Sequence, residues 1–218
     1  MNKKLLSSLL IIFLIVGITS ASSVHKEGVI LITGFEPFGE NAVNPSMLVA
    51  ERLNGTYIGN KRIYALLLPV IYFKAAEMVR KKMDELSPEI VICLGLDNYS
   101  TSIKVEKIAW NIIASLQPDN EGTIIIFRPI ALAPLFLFSN LPVMEIVEKI
   151  KAANISARPS FFAGTFVCNE VFYKTLLYGE EKAEVGFIHV PNIPTQNPDG
   201  MELEKMVEAV KIAILACD

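Results

Sequence analysis

Three short apolar runs, separated by segments of helical periodicity, constrain this chain more than any other feature. Val29-Ile30-Leu31-Ile32-Thr33, Arg62 to Val70 and Ile90-Val91-Ile92-Cys93-Leu94-Gly95 are near-continuous and rich in branched residues. That is the pattern of strands buried on both faces. Between the first two, Asn44-Pro45-Ser46 opens a helix: Asn44 can cap it and Pro45 suits its first turn. Met47, Val49, Ala50 and Leu53 give that helix a buried side before Asn54-Gly55 stops it. Phe73 to Leu86 is a second helix, charged on its outer side. Strand and helix alternating at this spacing predict an α/β protein with a mostly parallel sheet covered on both faces. A chain of 218 residues suits one domain with one sizeable core.

The rest of the chain follows the same grammar. Cys93 lies mid-strand among branched residues and reads as core. In Ile103-Lys104-Val105-Glu106-Lys107-Ile108 the alternation places Val105 and Ile108 inside, and Glu106 could face either way. Pro118-Asp119-Asn120-Glu121-Gly122 is a turn. Thr123 to Phe138 is unusually apolar, yet Arg128, Pro129 and Pro134 argue against a membrane span. A loop or short hairpin is expected there, with an apolar face turned towards another subunit. Leu141-Pro142 opens a helix to about Ala153, a strand is expected near Pro159 to Ala163, and a last helix runs from about Gly200 to Ala216. The Gly34-Phe35-Glu36-Pro37-Phe38-Gly39 loop has two glycines that permit unusual backbone angles and two phenylalanines with no periodic reason to be there.

Hydrophobic residues make up 52% of the chain and mean hydropathy is +0.43, high for a soluble enzyme. Part of that excess is N-terminal. Asn2-Lys3-Lys4 is a basic start, Leu5 to Ile18 an almost unbroken apolar run, and Thr19-Ser20-Ala21 offers small residues where a signal peptidase cuts. The run is short of the roughly 20 residues a spanning helix needs. Residues 1–23 are therefore expected to be a signal peptide, or an uncleaved anchor that tethers the protein to a membrane. Residues 24–218 form the domain, exported in either case. Net charge of -3 and the lack of a later basic run give no reason to expect nucleic acid. Neither a metal site nor a cofactor loop is indicated: the three cysteines have no ligand spacing, and Pro37 interrupts the glycine loop.

Chemistry concentrates in Gly164-Thr165-Phe166-Val167-Cys168-Asn169. After Cys168, Val171, Phe172, Thr175 and Leu176 recur at helical spacing, which puts the thiol near a helix N-terminus. Unpaired N–H groups and the helix dipole favour a thiolate there. His189 ends the short apolar run Gly186-Phe187-Ile188-His189-Val190, and strand ends are where open α/β sheets place their chemistry. A Cys–His nucleophile pair suits this pattern. A buried structural thiol with a core histidine suits it as well, and the pattern alone leaves both open.

Taken together, these pieces resemble the pyroglutamyl peptidase I (pyrrolidone-carboxylate peptidase) family of cysteine peptidases. The resemblance rests on Thr33 to Gly39, Asn44-Pro45-Ser46, Glu106 with Ile108, Ala109 and Asn111, Pro118 to Gly122, Leu141-Pro142, Gly164 to Asn169, and Gly186 to Pro191. It implies a single-domain, three-layer α/β/α fold and removal of N-terminal pyroglutamate from peptides. It assigns Cys168 as nucleophile, His189 as acid and base, and Glu106 as the group orienting the imidazole. Phe35, Phe38, Phe166 and Val167 would contact the lactam ring, with no cofactor and no metal.

The chain also departs from the family pattern. Asn98-Tyr99-Ser100 stands where the family usually has an arginine at the third position, and Ala114-Ser115-Leu116 where it usually has Asp-Ala-Arg. Glu40 replaces the second glycine of a pair. The expected function is an exported cysteine exopeptidase, a homo-oligomer through the apolar segment. Two other readings remain: a catalytically weak binding or assembly protein, and a hydrolase of altered acyl specificity. Cys217, near the C-terminus, is a candidate for a disulfide between chains.

Overall fold

The computed structural model describes residues 27–39 and 41–217. The N-terminal segment expected to direct export, and Glu40, lie outside the described residues. Among the described residues no helix is long and apolar enough to cross a membrane.

The three apolar runs form β1 (Gly28–Phe35), β3 (Lys61–Leu68) and β4 (Ile90–Leu96), with the short β2 (Tyr57–Ile58) hairpinned onto β3. They join β5 (Ile103–Glu106), β10 (Ala157–Ser160) and β11 (Glu184–Val190) in one seven-stranded sheet of order β10-β5-β11-β4-β1-β3-β2. Pairing is parallel except for β2 with β3 and β5 with β11. The strand expected near Pro159 to Ala163 is β10, displaced towards the N-terminus because Ala157 to Ser160 follow the edge of β5.

Strand alternation divides the core in two. Ile30, Ile32, Ile90, Ile92, Ile103, Val105, Ile188 and Val190 face α1 (Pro45–Leu53), α3 (Val143–Ala152) and α5 (Leu203–Leu215). Leu31, Val91, Cys93, Val185 and Phe187 face α2 (Lys74–Leu86) and α4 (Val167–Gly179). The protein is thus a three-layer α/β/α domain, each side sealed by side chains whose full burial is worth about 1.5–3 kcal/mol apiece. Asn44 caps α1 as its position predicts: its Oδ1 accepts from Ser46 N–H at 3.1 Å.

The Thr123 to Phe138 stretch differs from expectation. It does not hairpin on itself. Ile125–Arg128 (β8) pairs back onto β7 (Ile113–Ser115), and Phe136–Phe138 (β9) onto β6 (Ile108–Trp110), both antiparallel. Ile126, Phe127, Leu132 and Leu135 are left exposed. Ile108 is half-exposed and Ala109 takes the core position instead, because the chain kinks at Lys107 between β5 and β6. The last helix starts at Leu203 rather than Gly200.

Candidate active site

The site lies at the C-terminal ends of β4 and β11, where α4 begins. Cys168 is the second residue of α4, and no side chain caps that helix: Phe166, at the cap position, is extended. The first-turn N–H groups therefore keep their hydrogen-bonding capacity beside the thiol. Gly95 lets the end of β4 come close. A Cβ there would lie 2.8 Å from Phe187 and 3.0 Å from Cys168 Sγ.

Alternation puts Phe187 and His189 of β11 on the α4 side of the sheet. Their antiparallel register partners on β5 are Glu106 and Lys104, whose side chains point the same way. Glu106 is fully buried and its Oε1 lies 2.8 Å from His189 Nδ1. His189, also buried, borders the same cavity as Cys168, and its second ring nitrogen is free of Glu106 to face that thiol. Burial disfavours a charged imidazole. Hydrogen bonding of the imidazole to Cys168 and Glu106 and their negative charge outweigh burial and hold His189 well above the ordinary histidine range. Glu106, which the sequence left facing either way, is thus an internal carboxylate aimed at the imidazole.

Beside the thiol is a cavity of about 70 Å³ lined by Phe35, Phe38, Phe166, Val70, Leu96 and three asparagines. Phe38 and Phe166 sit with ring centroids 5.2 Å apart, and Tyr72 meets Phe166 edge-on at 5.3 Å. Val167 is not part of this wall. Its side chain is fully buried in the α2/α4 core, because the first turn of α4 rotates it towards the sheet.

The motifs around the cavity hold it in shape. Ser46 Oγ accepts from Phe35 N–H at 3.0 Å, and Asn44 Nδ2 donates to Glu36 O. Asp119 accepts from Tyr72, Glu121 and Thr123 N–H, while Asn120 Nδ2 donates to Pro37 O. Gly34 is required by close approach and not by an unusual backbone angle: a Cβ would stand 2.4 Å from Ser46 O. Gly39 does take a positive φ, of 62°.

Three residues escaped the sequence reading. Asn169 is fully buried and bonds the Trp110 and Ile112 backbone; its place directly after the cysteine was the available signal. Asp97 and Lys104 form an ion pair over a second cavity of about 340 Å³ that also reaches Cys168 and His189. Nothing local in the sequence joins that pair. Burial works against ionising Asp97, but hydrogen bonds from Lys104 and Tyr99 N–H, with the charges of Lys104 and His189, lower its pKa.

At the positions that lack arginine, Ser100 is buried and bonds Ser102 O at 2.8 Å, while Leu116 is exposed to solvent. Ala114 N–H donates to Thr165 O. None of the three lines the cavities at Cys168. Cys217 is half-buried rather than free at the surface. Burial and the neighbouring Glu184 push its thiol up to about 12.

A three-layer α/β domain that sets a helix-tip thiol against a carboxylate-bound imidazole, beside an apolar slot, has the arrangement of a cysteine hydrolase. The sequence profile of pyroglutamyl peptidase matches residues 28–218. Pyrrolidone-carboxylate peptidase of Pyrococcus furiosus is 40% identical over 198 residues, spanning 85% of this chain and 95% of its own. That of Bacillus amyloliquefaciens is 35% identical over 192 residues, 84% and 89% of the two chains. The solved structure of a mutant pyrrolidone carboxyl peptidase from Pyrococcus furiosus matches with a TM-score of 0.84 at 39% identity, covering 87% of this chain and 97% of that one. Pyroglutamyl peptidase I from Bacillus amyloliquefaciens matches with a TM-score of 0.84 at 34% identity, covering 88% and 95%. The chain belongs to the pyroglutamyl peptidase family of cysteine peptidases.

Proposed function

We propose that this protein removes N-terminal pyroglutamate from peptides through a Cys168–His189–Glu106 triad. The observation that carries this reading is the 2.8 Å Glu106–His189 contact behind Cys168, with the aromatic slot alongside. The pyroglutamyl ring enters the slot against the Phe38–Phe166 pair and Phe35, its lactam edges towards the asparagine rim. Cys168 Sγ, its proton already passed to His189, attacks the acyl carbonyl carbon. Charge on the carbonyl oxygen is met by N–H groups in the uncapped first turn of α4. The C–N bond then breaks, His189 gives its proton to the leaving amine, and a thioester remains on Cys168. Water, deprotonated by His189, hydrolyses that thioester and releases pyroglutamate. Glu106 holds the ring and stabilises its charged form throughout. Apolar walls discriminate poorly between pyroglutamate and proline, so the polar rim supplies part of the selectivity.

The test is hydrolysis of a pyroglutamyl-linked fluorogenic amide by the full chain under reducing conditions, beside a Cys168→Ala variant and the prolyl amide. Turnover that needs Cys168 and passes over the prolyl compound is expected. A folded chain with no turnover would favour the binding-protein reading, and turnover of other acyl amides the altered-specificity reading.

We further propose that the enzyme is exported by its N-terminal segment, and that it self-associates through the exposed Ile126, Phe127, Leu132 and Leu135. An apolar patch of this kind is what oligomer surfaces present. Cell fractionation with N-terminal sequencing tests export, with recovery of an intact chain in the cytosol counting against it. Sedimentation of the wild type against a Phe127→Glu/Leu135→Glu variant tests association. A monomeric wild type would end that part of the proposal.

A further inference from the structure

Lys104 is the register partner of His189 across the β5–β11 ladder, and its side chain leaves the sheet on the same side. Its ammonium does not reach His189 unaccompanied. Asp97, at the end of β4, pairs with it, and both side chains are only 16% exposed. The pair borders the wider cavity together with Cys168 and His189. The groups facing the imidazole are therefore Glu106 and Lys104 from β5, Asp97 from the β4–β5 loop and Cys168 from α4. Cys93, beneath them on β4, is a buried thiol pushed up to about 11, so it adds no charge at neutral pH.

The geometry points to Asp97 and Lys104 as paired positioning residues: they hold opposite charges against the His189 edge of the site, and their balance sets the pH window in which Cys168 is nucleophilic. The inference rests on Cys168 being the nucleophile, as proposed above. Two unlike charges paired with each other partly cancel at the imidazole, whereas either alone would act through a largely buried, low-dielectric wall. A lone ammonium favours the thiolate and disfavours the imidazolium, so both titrations move to lower pH. A lone carboxylate does the reverse.

The test is the pH dependence of Cys168 alkylation by iodoacetamide in the full chain, followed on the Cys168 peptide by mass spectrometry. It needs no peptide substrate. Asp97→Asn should move the midpoint down by about one pH unit, Lys104→Gln up by about as much, and the double variant back towards wild type. A purely structural pair would give slower alkylation in both variants without opposite shifts. Such a result, or two unshifted midpoints, overturns the inference. If one single variant fails to fold, the other single and the double still decide: no shift, or no return in the double, is a refutation. A wild-type Cys168 that alkylates no faster at neutral pH than a free thiol would instead refute the nucleophile assignment.

Discussion

Asn169 and Trp110 are joined by two reciprocal hydrogen bonds: Trp110 N–H donates to Asn169 Oδ1 at 3.0 Å, and Asn169 Nδ2 returns to Trp110 O at 2.8 Å. A third, to Ile112 O at 2.9 Å, fixes the same amide. The first turn of α4, and with it Cys168, is thereby tied to the strand that continues from Glu106. Asn169→Ala leaves Trp110 N–H and Ile112 O without that partner in a largely buried place, while Trp110 O keeps the Ile112 N–H. A loss of about 2–4 kcal/mol in unfolding free energy is expected in denaturant titration, with Cys168 alkylation slowed in the variant that remains folded.

Glu106 and His189 are expected to respond unequally to substitution. Glu106→Gln keeps the shape and a hydrogen bond to Nδ1 but cannot stabilise the imidazolium. Turnover of the pyroglutamyl amide should fall by on the order of 10²–10⁴, with little change in KM. His189→Ala removes the partner of a fully buried carboxylate and should cost about 3–5 kcal/mol of stability as well as activity. Thermal unfolding of the two variants side by side checks the difference.

The raised His189 pKa has a consequence for stability. A histidine whose folded value lies above its ordinary 6.5 stabilises the fold fully below that pH. The contribution is lost as pH rises from 6.5 through the folded value, near 10. Unfolding midpoints of the wild type should decline over that interval, and those of His189→Gln should lack that component of the decline.

Two glycines are predicted to fail in different ways. In Gly34→Ala the new methyl meets the backbone of Ser46, which cannot step aside. A loss of about 2–4 kcal/mol is expected. In Gly95→Ala it meets the Phe187 ring and Cys168 Sγ. Displacement of the thiol should lower kcat by at least about tenfold, a larger effect than on stability. Denaturant titration and turnover, measured on both, separate the cases.

Phe166→Ala removes one wall of the slot, along with its contacts to Phe38 and Tyr72. Loss of that contact should reduce kcat/KM for pyroglutamyl amides by about 10–100-fold, mainly through KM. Cys168 alkylation, which does not use the slot, should be little changed.

Local pattern was enough for much of this architecture. Continuous branched runs marked β1, β3 and β4 because a strand covered on both sides has no polar face to show. Asn44-Pro45 marked a helix start because the cap is made within a few residues of chain. The cysteine on a helix tip and the histidine on a strand tip were legible for the same reason. Where local pattern failed, distant contacts had overridden it. Ile108 lost its core place to Ala109 at the kink after Glu106. The Thr123 to Phe138 stretch paired with β6 and β7 rather than with itself, because those edges lay beside it only once the sheet had formed.

The sequence by itself determined which segments become strands and helices, and which residues carry reactive groups. The tertiary structure alone decided which of those groups meet. β5 enters between β10 and β11 and runs antiparallel to β11, and that direction sets Glu106 and Lys104 on the same side as His189. Periodicity records only that a residue faces one side or the other. Which side becomes the thiol's side, and so whether Glu106 is a solvated charge or the carboxylate behind an imidazole, depends on strand order, which no local spacing encodes.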